Sequence, residues 1–464
     1  MINFKSQGLL DDRRKLVSRL IEKGLSRQAA ERKAELFAKA AATPLSTPAG
    51  QRQADVAAFF VPGRIEVLGK HTDYAGGRSM VAAAERGFCL VVWPRSDDQV
   101  TVTDAARGES VAFRMDSELV PRGGHWSNYS MTVARRIARN FPRARRGADI
   151  ALASDLPPAA GMSSSSAMIV AVFLALVHVN RLDVLVTRRV YVELFGNPLN
   201  LAGYLACIEN GQSFGALEGD RGVGTFGGSE DHTAILCAKP NQISQFAYCP
   251  VEFEQAIPIP AGYTFAIGVS GVLAEKTGAA LEKYNRVSRL ASAVAELWRR
   301  ESGLEHPHLA DALGSYPYAP EQLKKLVQTA RHEEFEPAAL LARLEHFMIE
   351  SGEIIPKAGR ALIEGNLPRF GRLVDRSQKN AERLLGNQVP ETVYLAAAAR
   401  QNGAVAASAF GAGFGGSVWA MVEAATADSF LASWADAYRR EFPQNAGVST
   451  FFLTGAGPAA FRVC

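Results

Sequence analysis

A glycine followed closely by four serines is the strongest chemical signal in this chain. The serines are Ser163–Ser166, and a long apolar run, Ala167–Val179, begins directly after them. The start of a helix has unpaired N–H groups and a positive dipole end, which suit a phosphate, and small residues let the phosphate approach the backbone. One serine is enough to cap a helix. We therefore interpret the segment as a phosphate-binding loop, with an over-provided helix cap as the alternative; its members are Gly161, Ser163, Ser164, Ser165 and Ser166.

A second polar segment follows the apolar residues Ile65–Leu68. It contains Lys70, His71 and Asp73 and is bracketed by glycines. A carboxylate with histidine and lysine at the end of a strand can hold the hydroxyl groups of a sugar. A hydrophilic turn is the alternative interpretation.

Two acidic residues, Glu230 and Asp231, come directly after the glycine-containing segment 227–229. A carboxylate pair in this position could supply a general base and a metal ligand. The alternative is an ordinary acidic loop.

Two glycine-rich stretches, 222–227 and 411–416, match the dinucleotide pattern G-x-G-x-x-G as bare text. That fingerprint requires a strand before it and a helix after it. The stretch at 411–416 precedes the strand-like residues Ser417–Val422, so dinucleotide binding is the weaker interpretation. We predict instead a glycine turn that lets its backbone pack close to another loop or to a ligand.

The composition limits the class of protein. With 464 residues, 47% of them hydrophobic and 21% charged, the chain is long enough for two globular domains. A net charge of +4 is too small for its length to indicate nucleic-acid binding. The run Ala167–Val179 is shorter than the roughly 20 residues of a membrane span. The five cysteines are scattered without a C-x-x-C pair, and the charged N-terminus does not resemble a signal peptide, so we expect a cytoplasmic protein.

The predicted elements mix strand runs with helix runs, which favours an α+β fold. Residues 9–42 predict two helices, the second capped by Ser26, and Thr43–Gln53 predicts a linker. Val56–Val61 and Ile65–Leu68 predict two strands separated by Pro62 and Gly63. The predicted domains are a helical extension at 1–50, an N-terminal domain at 51–255 and a C-terminal domain at 256–464.

Four segments, taken in order, resemble the GHMP kinases and galactokinases in particular. Pro62–Gly77 is similar to the signature P-G-R-x-N-x-I-G-E-H-x-D-Y-x-G-G, and Leu156–Ala167 to the phosphate loop L-P-x-G-A-G-L-S-S-S-A. Gly228–His232 resembles G-I-M-D-Q, and Ala409–Gly416 resembles the C-terminal glycine loop. The resemblance covers roughly residues 55–464 and implies a two-lobed fold, with an N-terminal lobe like the second domain of ribosomal protein S5 and a ferredoxin-like C-terminal lobe.

The resemblance also implies roles for individual residues. Asp231 would be the catalytic base, and Arg64 would lie beside it and keep it ionised. Lys70, His71, Asp73 and Tyr284 would bind the sugar. The serine loop would bind the phosphates of ATP, with Trp126 as a further nucleotide contact. Mg²⁺ would be held by Ser165, or its neighbour Ser164, together with Glu209. The interval between Glu209 and Asp231 is about ten residues longer than the family pattern, so Glu218 is a rival ligand.

The chain departs from the galactokinase pattern at four positions. Lys70 stands in place of Glu, Glu66 in place of Asn, and Glu230 and His232 in place of Met and Gln. A lysine in the sugar pocket would suit a substrate carboxylate, as in galacturonate. Alternatively, Lys70 pairs with Glu66 or Glu230 and the pocket takes a neutral sugar.

The resemblance predicts an ATP-dependent kinase for the anomeric hydroxyl of galactose or a galactose-like sugar, with ATP and Mg²⁺ as cofactors. We expect a monomer with no nucleic-acid or membrane partner. A GHMP kinase for galacturonate, arabinose or another alcohol remains open. So does a sugar- and ATP-binding sensor without turnover, although the presence of Arg64, Asp231 and the serine loop argues against it.

Overall fold

The computed structural model describes residues 4–45, 55–187, 190–274 and 278–464. The chain begins with three helices, α1 (Phe4–Asp11), α2 (Arg13–Glu22) and α3 (Arg27–Ala41). Ser26 caps α3 by accepting a hydrogen bond from the Ala29 amide at 3.3 Å, as predicted. Much of the predicted linker Thr43–Gln53 lies outside the described residues.

The first sheet contains seven strands from the part of the chain between residues 57 and 258. In space the order begins β1-β2-β5-β3-β4, and β6 pairs with both β2 and β7. Helix α3 covers the outer face of this sheet, where Phe37 packs in one apolar cluster with Phe60 and Val91. The strands are β1 (Ala57–Leu68), β2 (Arg78–Pro94), β3 (Gln99–Asp104), β4 (Glu109–Arg114), β5 (Ala148–Ser154), β6 (Gln242–Ala247) and β7 (Glu252–Pro258).

Strand β1 corrects the prediction of two strands interrupted at Pro62 and Gly63. The structure contains one strand whose twelve residues are all buried. It pairs antiparallel with β2 along its length, and the register shifts between Pro62 and Arg64. A bulge therefore absorbs the residues that we expected to break the strand, because a bulge admits an extra residue while pairing continues on both sides. Arg64 follows directly after this shift.

The second sheet is four-stranded, in the order β11-β8-β10-β9. Its strands are β8 (Tyr263–Val269), β9 (Ala406–Phe410), β10 (Ser417–Glu423) and β11 (Thr450–Thr454). All of its pairings are antiparallel. The chain then returns to the first sheet, where β12 (Ala456–Gly457) pairs with β2 and β13 (Phe461–Arg462) pairs with β1. The end of the chain thus ties the two sheets together.

Helices fill the space between and around the sheets. In the first half they are α4 (Ser127–Asn140), α5 (Ser164–Asn180), α6 (Leu182–Leu185), α7 (Pro198–Asn210) and α8 (Glu230–Cys237). In the second half they are α9 (Gly278–Ser302), α10 (Leu309–Gly314), α11 (Ala319–Thr329), α12 (Pro337–Ile349), α13 (Ile355–Ile363), α14 (Leu367–Asn380), α15 (Pro390–Gln401) and α16 (Ala427–Glu441). Within the described residues, no helix is both long enough and apolar enough to cross a membrane.

The glycine turn at 411–416 brings the two halves of the chain together, as predicted. A Cβ atom added at Gly411 would lie 2.8 Å from the carbonyl oxygen of Gly161. A Cβ atom added at Gly161 would lie 2.9 Å from the carbonyl oxygen of Phe410. The Ser417 hydroxyl donates to the carbonyl of Ala160 at 2.6 Å. This close backbone approach fixes the serine-rich segment against the second sheet.

Candidate active site

A cleft of about 490 Å³ is formed where β1, the starts of α5 and α8, helix α9 and the glycine turn at 411–416 meet. It brings together nearly all of the residues that the sequence singled out. The predicted residues that line it are Arg64, His71, Asp73, Trp126, Gly161, Ser163, Ser164, Ser165, Ser166, Glu209, Asp231 and Tyr284.

The serine-rich loop forms one end of the cleft and leads into the buried helix α5. Ser163 adopts a left-handed conformation with φ 57°, and the helix begins at Ser164. The Ser163 hydroxyl is buried, and no group among the described residues forms a hydrogen bond with it. An unpartnered buried hydroxyl is costly, and beside the free N–H groups of a helix start it fits an anionic group such as a phosphate. This end of the cleft is therefore suited to the phosphates of a nucleotide.

The buried Arg64 and the partly buried Asp231 form an ion pair at the centre of the cleft. Arg64 Nε lies 2.8 Å from Asp231 Oδ1, and Arg64 Nη1 donates to the carbonyl oxygen of Gly161 at 2.5 Å. Burial lowers the pKa of Arg64, but the neighbouring carboxyls raise it further, and the net effect is a pKa above its usual value. The guanidinium thus stays charged and links the phosphate end to Asp231.

Ser166 connects Asp231 with Glu209. Its hydroxyl lies 2.7 Å from Glu209 Oε2 and 3.2 Å from Asp231 Oδ2. The structure therefore places Ser166 between the two carboxylates, whereas the sequence had pointed to Ser165 as the hydroxyl near a metal. His232 Nε2 also lies 3.3 Å from Glu209 Oε2.

Glu209, rather than its rival Glu218, lies in the cleft. The Glu218 side chain is 78% exposed and pairs with Arg139 at 3.7 Å. The described residues contain no cluster of three or more histidine, cysteine or acidic side chains suited to a metal. One buried carboxylate beside a serine hydroxyl fits Mg²⁺, because this ion is usually held by one or two carboxylates together with substrate phosphates.

The other end of the cleft is built around His71, Asp73 and Tyr284. His71 Nε2 lies 2.9 Å from the carbonyl oxygen of Ala412, and its ring lies 5.4 Å from the ring of Tyr284. Asp73 Oδ2 accepts a hydrogen bond from the Glu230 amide at 3.0 Å. Burial raises the pKa of both Asp73 and Tyr284. This end offers acceptors and an aromatic wall, which are the groups that hold sugar hydroxyls and a sugar ring.

Lys70 is the predicted site residue that the described cleft does not include. It is 1% exposed, and its Nζ donates to the Ser408 hydroxyl in β9 at 2.8 Å. Ser408 in turn donates to Gln378 Oε1 at 3.0 Å. Lys70 faces the second sheet because the backbone turns at Gly69, whose φ is +116°. The ammonium thus joins the two halves of the molecule. Its hydrogen-bond partner is a hydroxyl, although its positive charge also lowers the pKa of the nearby Glu66.

Two buried residues that the sequence analysis did not identify support the end of the cleft formed by His71, Asp73 and Tyr284, which we call the sugar end. Arg343 Nε donates to the carbonyl of Val287 at 3.3 Å, and its Nη2 donates to the carbonyl of His71. Glu350 Oε1 accepts from the Gly69 amide at 3.0 Å. Both lie hundreds of residues from the segment they support, so no local pattern could have indicated them.

Comparison with protein families gives three matches along the chain. The GHMP kinases N terminal domain matches residues 128–203, and the GHMP kinases C terminal domain matches residues 360–440. The galactokinase galactose-binding signature matches residues 49–94. The last match contains Arg64, His71 and Asp73, all of which line the cleft.

Two galactokinases are among the proteins that are similar in sequence. The chain is 28% identical over 381 residues to the galactokinase of Roseiflexus sp. (strain RS-1), covering 81% of this chain and 86% of the relative. It is 27% identical over 428 residues to that of Exiguobacterium sibiricum, covering 87% and 93%.

Two solved structures share the fold. The crystal structure of Lactococcus lactis galactokinase complexed with galactose has a TM-score of 0.71 at 22% identity, covering 88% of this chain and 95% of that one. L. major mevalonate kinase in complex with R-mevalonate has a TM-score of 0.52 at 14% identity, covering 89% and 100%. These likenesses confirm the predicted two-lobed α+β fold.

Proposed function

The chain belongs to the GHMP kinase superfamily, and from this premise we propose that it is an ATP-dependent sugar kinase for the anomeric hydroxyl of galactose or a galactose-like sugar. The Arg64–Asp231 pair carries the proposal. Arg64 Nε lies 2.8 Å from Asp231 Oδ1, with Arg64 buried and Asp231 partly buried. The pair lies between the serine-rich loop and the end formed by His71, Asp73 and Tyr284. A base in this position is within reach of both a phosphate and a sugar.

Asp231 is the proposed base for the attacking sugar hydroxyl. Its Oδ1 faces Arg64 and its Oδ2 faces the Ser166 hydroxyl, so both oxygens are held in a fixed orientation. A positioned carboxylate that accepts the proton of the nucleophile is the usual base in phosphoryl transfer from ATP to a hydroxyl. The positive charge of Arg64 favours the ionised form of this carboxylate.

Arg64 and the serine-rich loop are proposed to align the phosphate with the sugar. Phosphoryl transfer depends mainly on positioning and on charge neutralisation. ATP would supply the phosphoryl group. Glu209 and the neighbouring serine hydroxyls would hold Mg²⁺, which would offset the negative charge of the phosphates. The loop backbone and the Ser163 hydroxyl would bind phosphate oxygens, and Arg64 adds a fixed positive charge next to the base.

The test replaces the proposed base and leaves its surroundings intact. Asp231→Asn preserves the size of the side chain, and Arg64 keeps the neighbouring carboxyls of Glu66 and Glu230 as ion-pair partners. We expect turnover of galactose, followed as ADP release, to fall by roughly 10²–10⁴-fold, the contribution of a general base. Binding of ATP, measured by calorimetry, should stay within about twofold, because no phosphate-loop residue changes.

The matched control is Asp436→Asn, at an exposed position of α16. It should leave both turnover and ATP binding unchanged. Turnover close to that of the unmodified protein in Asp231→Asn would remove Asp231 from the mechanism. If the unmodified protein binds ATP but turns over no sugar in a panel including galactose, galacturonate and arabinose, a sensor function would replace the proposed one.

A further inference from the structure

The cleft wall carries many carboxyl groups and little positive charge. Among the described residues that line it, Arg64 is the one arginine or lysine. Two further cations lie close to this wall without lining it: the Lys70 ammonium donates to the Ser408 hydroxyl, and the Arg343 guanidinium donates to the His71 carbonyl. The acidic residues that line the cleft are Glu66, Asp73, Glu209, Glu230 and Asp231. The phosphates of ATP would be offset by Mg²⁺ and by the helix start. A negatively charged sugar substituent beside these carboxyls would have no such counter-charge and would meet like charges, which cost several kcal/mol when they are brought together in an interface.

Glu66 and Glu230 are the two acidic residues that the proposed mechanism does not use. Glu66 is 3% exposed and lies on β1, whereas Glu230 is 4% exposed and begins α8. Both approach the same guanidinium, with Arg64 Nη2 3.7 Å from Glu66 Oε2 and Arg64 Nε 3.5 Å from Glu230 Oε1. One guanidinium therefore faces three carboxyls, since Asp231 is also paired with it.

The two glutamates are also within hydrogen-bonding reach of each other. Burial raises the pKa of both. The negative charge of Glu66 raises the pKa of Glu230 further, whereas a hydrogen bond from Glu230 lowers the pKa of Glu66, so the shared proton is favoured on Glu230. Glu66 Oε1 is buried, and no donor among the described residues reaches it. A single proton between the two carboxyls, together with a hydroxyl donor from a ligand, would satisfy these acceptors. A carboxylate ligand would bring only more acceptors.

The charged and titratable groups around this pair come from every element that packs on it. Arg64 and Lys70 contribute positive charge from β1 and from the segment after it. Asp73 lies in the following turn, Asp231 follows on α8, and the Tyr248 hydroxyl approaches from the segment after β6. The balance of charge among the lining residues is negative, because Lys70 does not line the cleft and its ammonium is held by Ser408.

We propose that Glu66 and Glu230 act as a proton-sharing pair that determines acceptor specificity, accepting hydrogen bonds from the hydroxyls of an uncharged sugar and excluding sugars that carry a carboxylate. This inference rests on the proposed kinase function and names its substrate class. It opposes the alternative in which Lys70 binds the carboxylate of a uronic acid, because Glu66 and Glu230 line the cleft and the Lys70 ammonium is held by Ser408.

The experiment compares galactose with galacturonate, which differ in the hydroxymethyl or carboxylate group at C6. ADP release at saturating ATP and Mg²⁺ gives kcat/KM for each sugar with the unmodified protein, Glu66→Gln, Glu230→Gln and the double variant. We expect the unmodified protein to favour galactose by about 100-fold or more, consistent with several kcal/mol of like-charge repulsion. The double variant should lower this ratio by at least about tenfold, mainly through the two KM values, because the amides remove negative charge and add donors.

The matched control is Glu423→Gln, an exposed glutamate at the end of β10, which should leave the ratio unchanged. Thermal unfolding checks that each variant is folded, and if the double variant is not, Glu66→Gln alone carries the test. An unmodified protein that uses galacturonate as well as galactose, or a folded variant with an unchanged ratio, would overturn the inference.

Failure of the proposed function is separable from failure of this inference. If the unmodified protein turns over neither sugar, the kinase proposal fails, and calorimetric binding of the two sugars then tests the inference by itself. Preferential binding of galactose that is lost in the glutamine variants would support the role of the pair. Equal binding of galactose and galacturonate by the unmodified protein would contradict it.

Discussion

The two ends of the cleft consist of different kinds of chemical group. The phosphate end uses backbone geometry and small hydroxyls, with Gly161 packed against Phe410 and Ser163 in a left-handed conformation before α5. The sugar end, taken together with the adjoining centre of the cleft, uses ionisable side chains that are mostly buried, with Arg64 facing three carboxyls within 3.7 Å. The first end depends on the shape of the chain, and the second depends on charge.

Because of this difference, ligand binding at the two ends should respond differently to pH and to mutation. A backbone-built phosphate site has no group that titrates near neutral pH, so its binding should depend on steric fit. A buried cluster of carboxyls is costly to ionise and depends on its counter-charges, so its properties should change with pH and with the loss of a single charge. Mutations at the two ends should therefore produce different kinds of defect.

The largest expected effect after loss of the base concerns Glu209, the buried carboxylate that lies next to the serine loop. Glu209→Gln should weaken the apparent affinity for Mg²⁺ in the kinase assay by about 100-fold, since loss of a group around a bound metal costs up to this much. The measurement is a Mg²⁺ titration of ADP release at fixed ATP and galactose. Glu218→Gln, on the exposed side chain that pairs with Arg139, is the matched control and should behave as the unmodified protein. Equal defects in both variants would mean that Glu209 has no special role.

The next effect tests whether the phosphate end depends on shape. In Gly161→Ala the added methyl would lie 2.9 Å from the carbonyl oxygen of Phe410, at a residue with φ +75°. We expect the KM for ATP to rise about tenfold, which corresponds to about 1.4 kcal/mol, while the KM for sugar changes little.

The control for Gly161→Ala is Gly365→Ala, which has a similar φ of +69° but nothing within 4 Å of the added methyl. Both variants should lose stability by about 1–2 kcal/mol from the left-handed backbone, measured by chemical denaturation. Only Gly161→Ala should change the KM for ATP. An equal change in both would show that general destabilisation, and not the approach to Phe410, is responsible.

The phosphate end could be predicted from the sequence because its signals are local. A serine-rich start of an apolar helix, and a glycine turn before a strand, each define a conformation within a few residues. The strand at 57–68 was harder to predict from the sequence, because a bulge at Pro62 and Gly63 depends on pairing with β2. Local residue preferences indicated a break where tertiary pairing allowed the strand to continue.

The sugar end could be predicted only in part. The segment containing His71 and Asp73 was identified, but the direction of Lys70 was not, because its partner Ser408 lies 338 residues away. Arg343, which donates to the His71 carbonyl, is 272 residues from it. Charge partners of this kind are set by how the two halves pack, so a residue type alone could not tell whether Lys70 faces a substrate or a sheet.

The smallest expected effect concerns the stability of the folded protein. It tests most directly whether the sugar end depends on charge and the phosphate end does not. The raised pKa of Glu230, caused by burial and by Glu66, means that the folded state binds more protons than the unfolded state. The stability associated with the protonated pair is fully present below the ordinary glutamate pKa and is lost as the pH rises through the folded pKa. Glu230→Gln removes this linkage, so its Tm relative to the unmodified protein should increase as the pH is raised from about 5 to about 9, by about 2–4 °C for each kcal/mol.

Glu353 provides a control of the opposite sign. Hydrogen bonds from Arg376 and Lys357 lower its pKa to about 2, so its contribution to stability is present above the ordinary glutamate pKa and is lost only in acid. The Tm difference between Glu353→Gln and the unmodified protein should therefore stay constant across the same range of pH. A Tm difference for Glu230→Gln that is also constant would mean that the Glu66–Glu230 pair does not take up a proton on folding. The sugar end would then be no more sensitive to pH than the phosphate end.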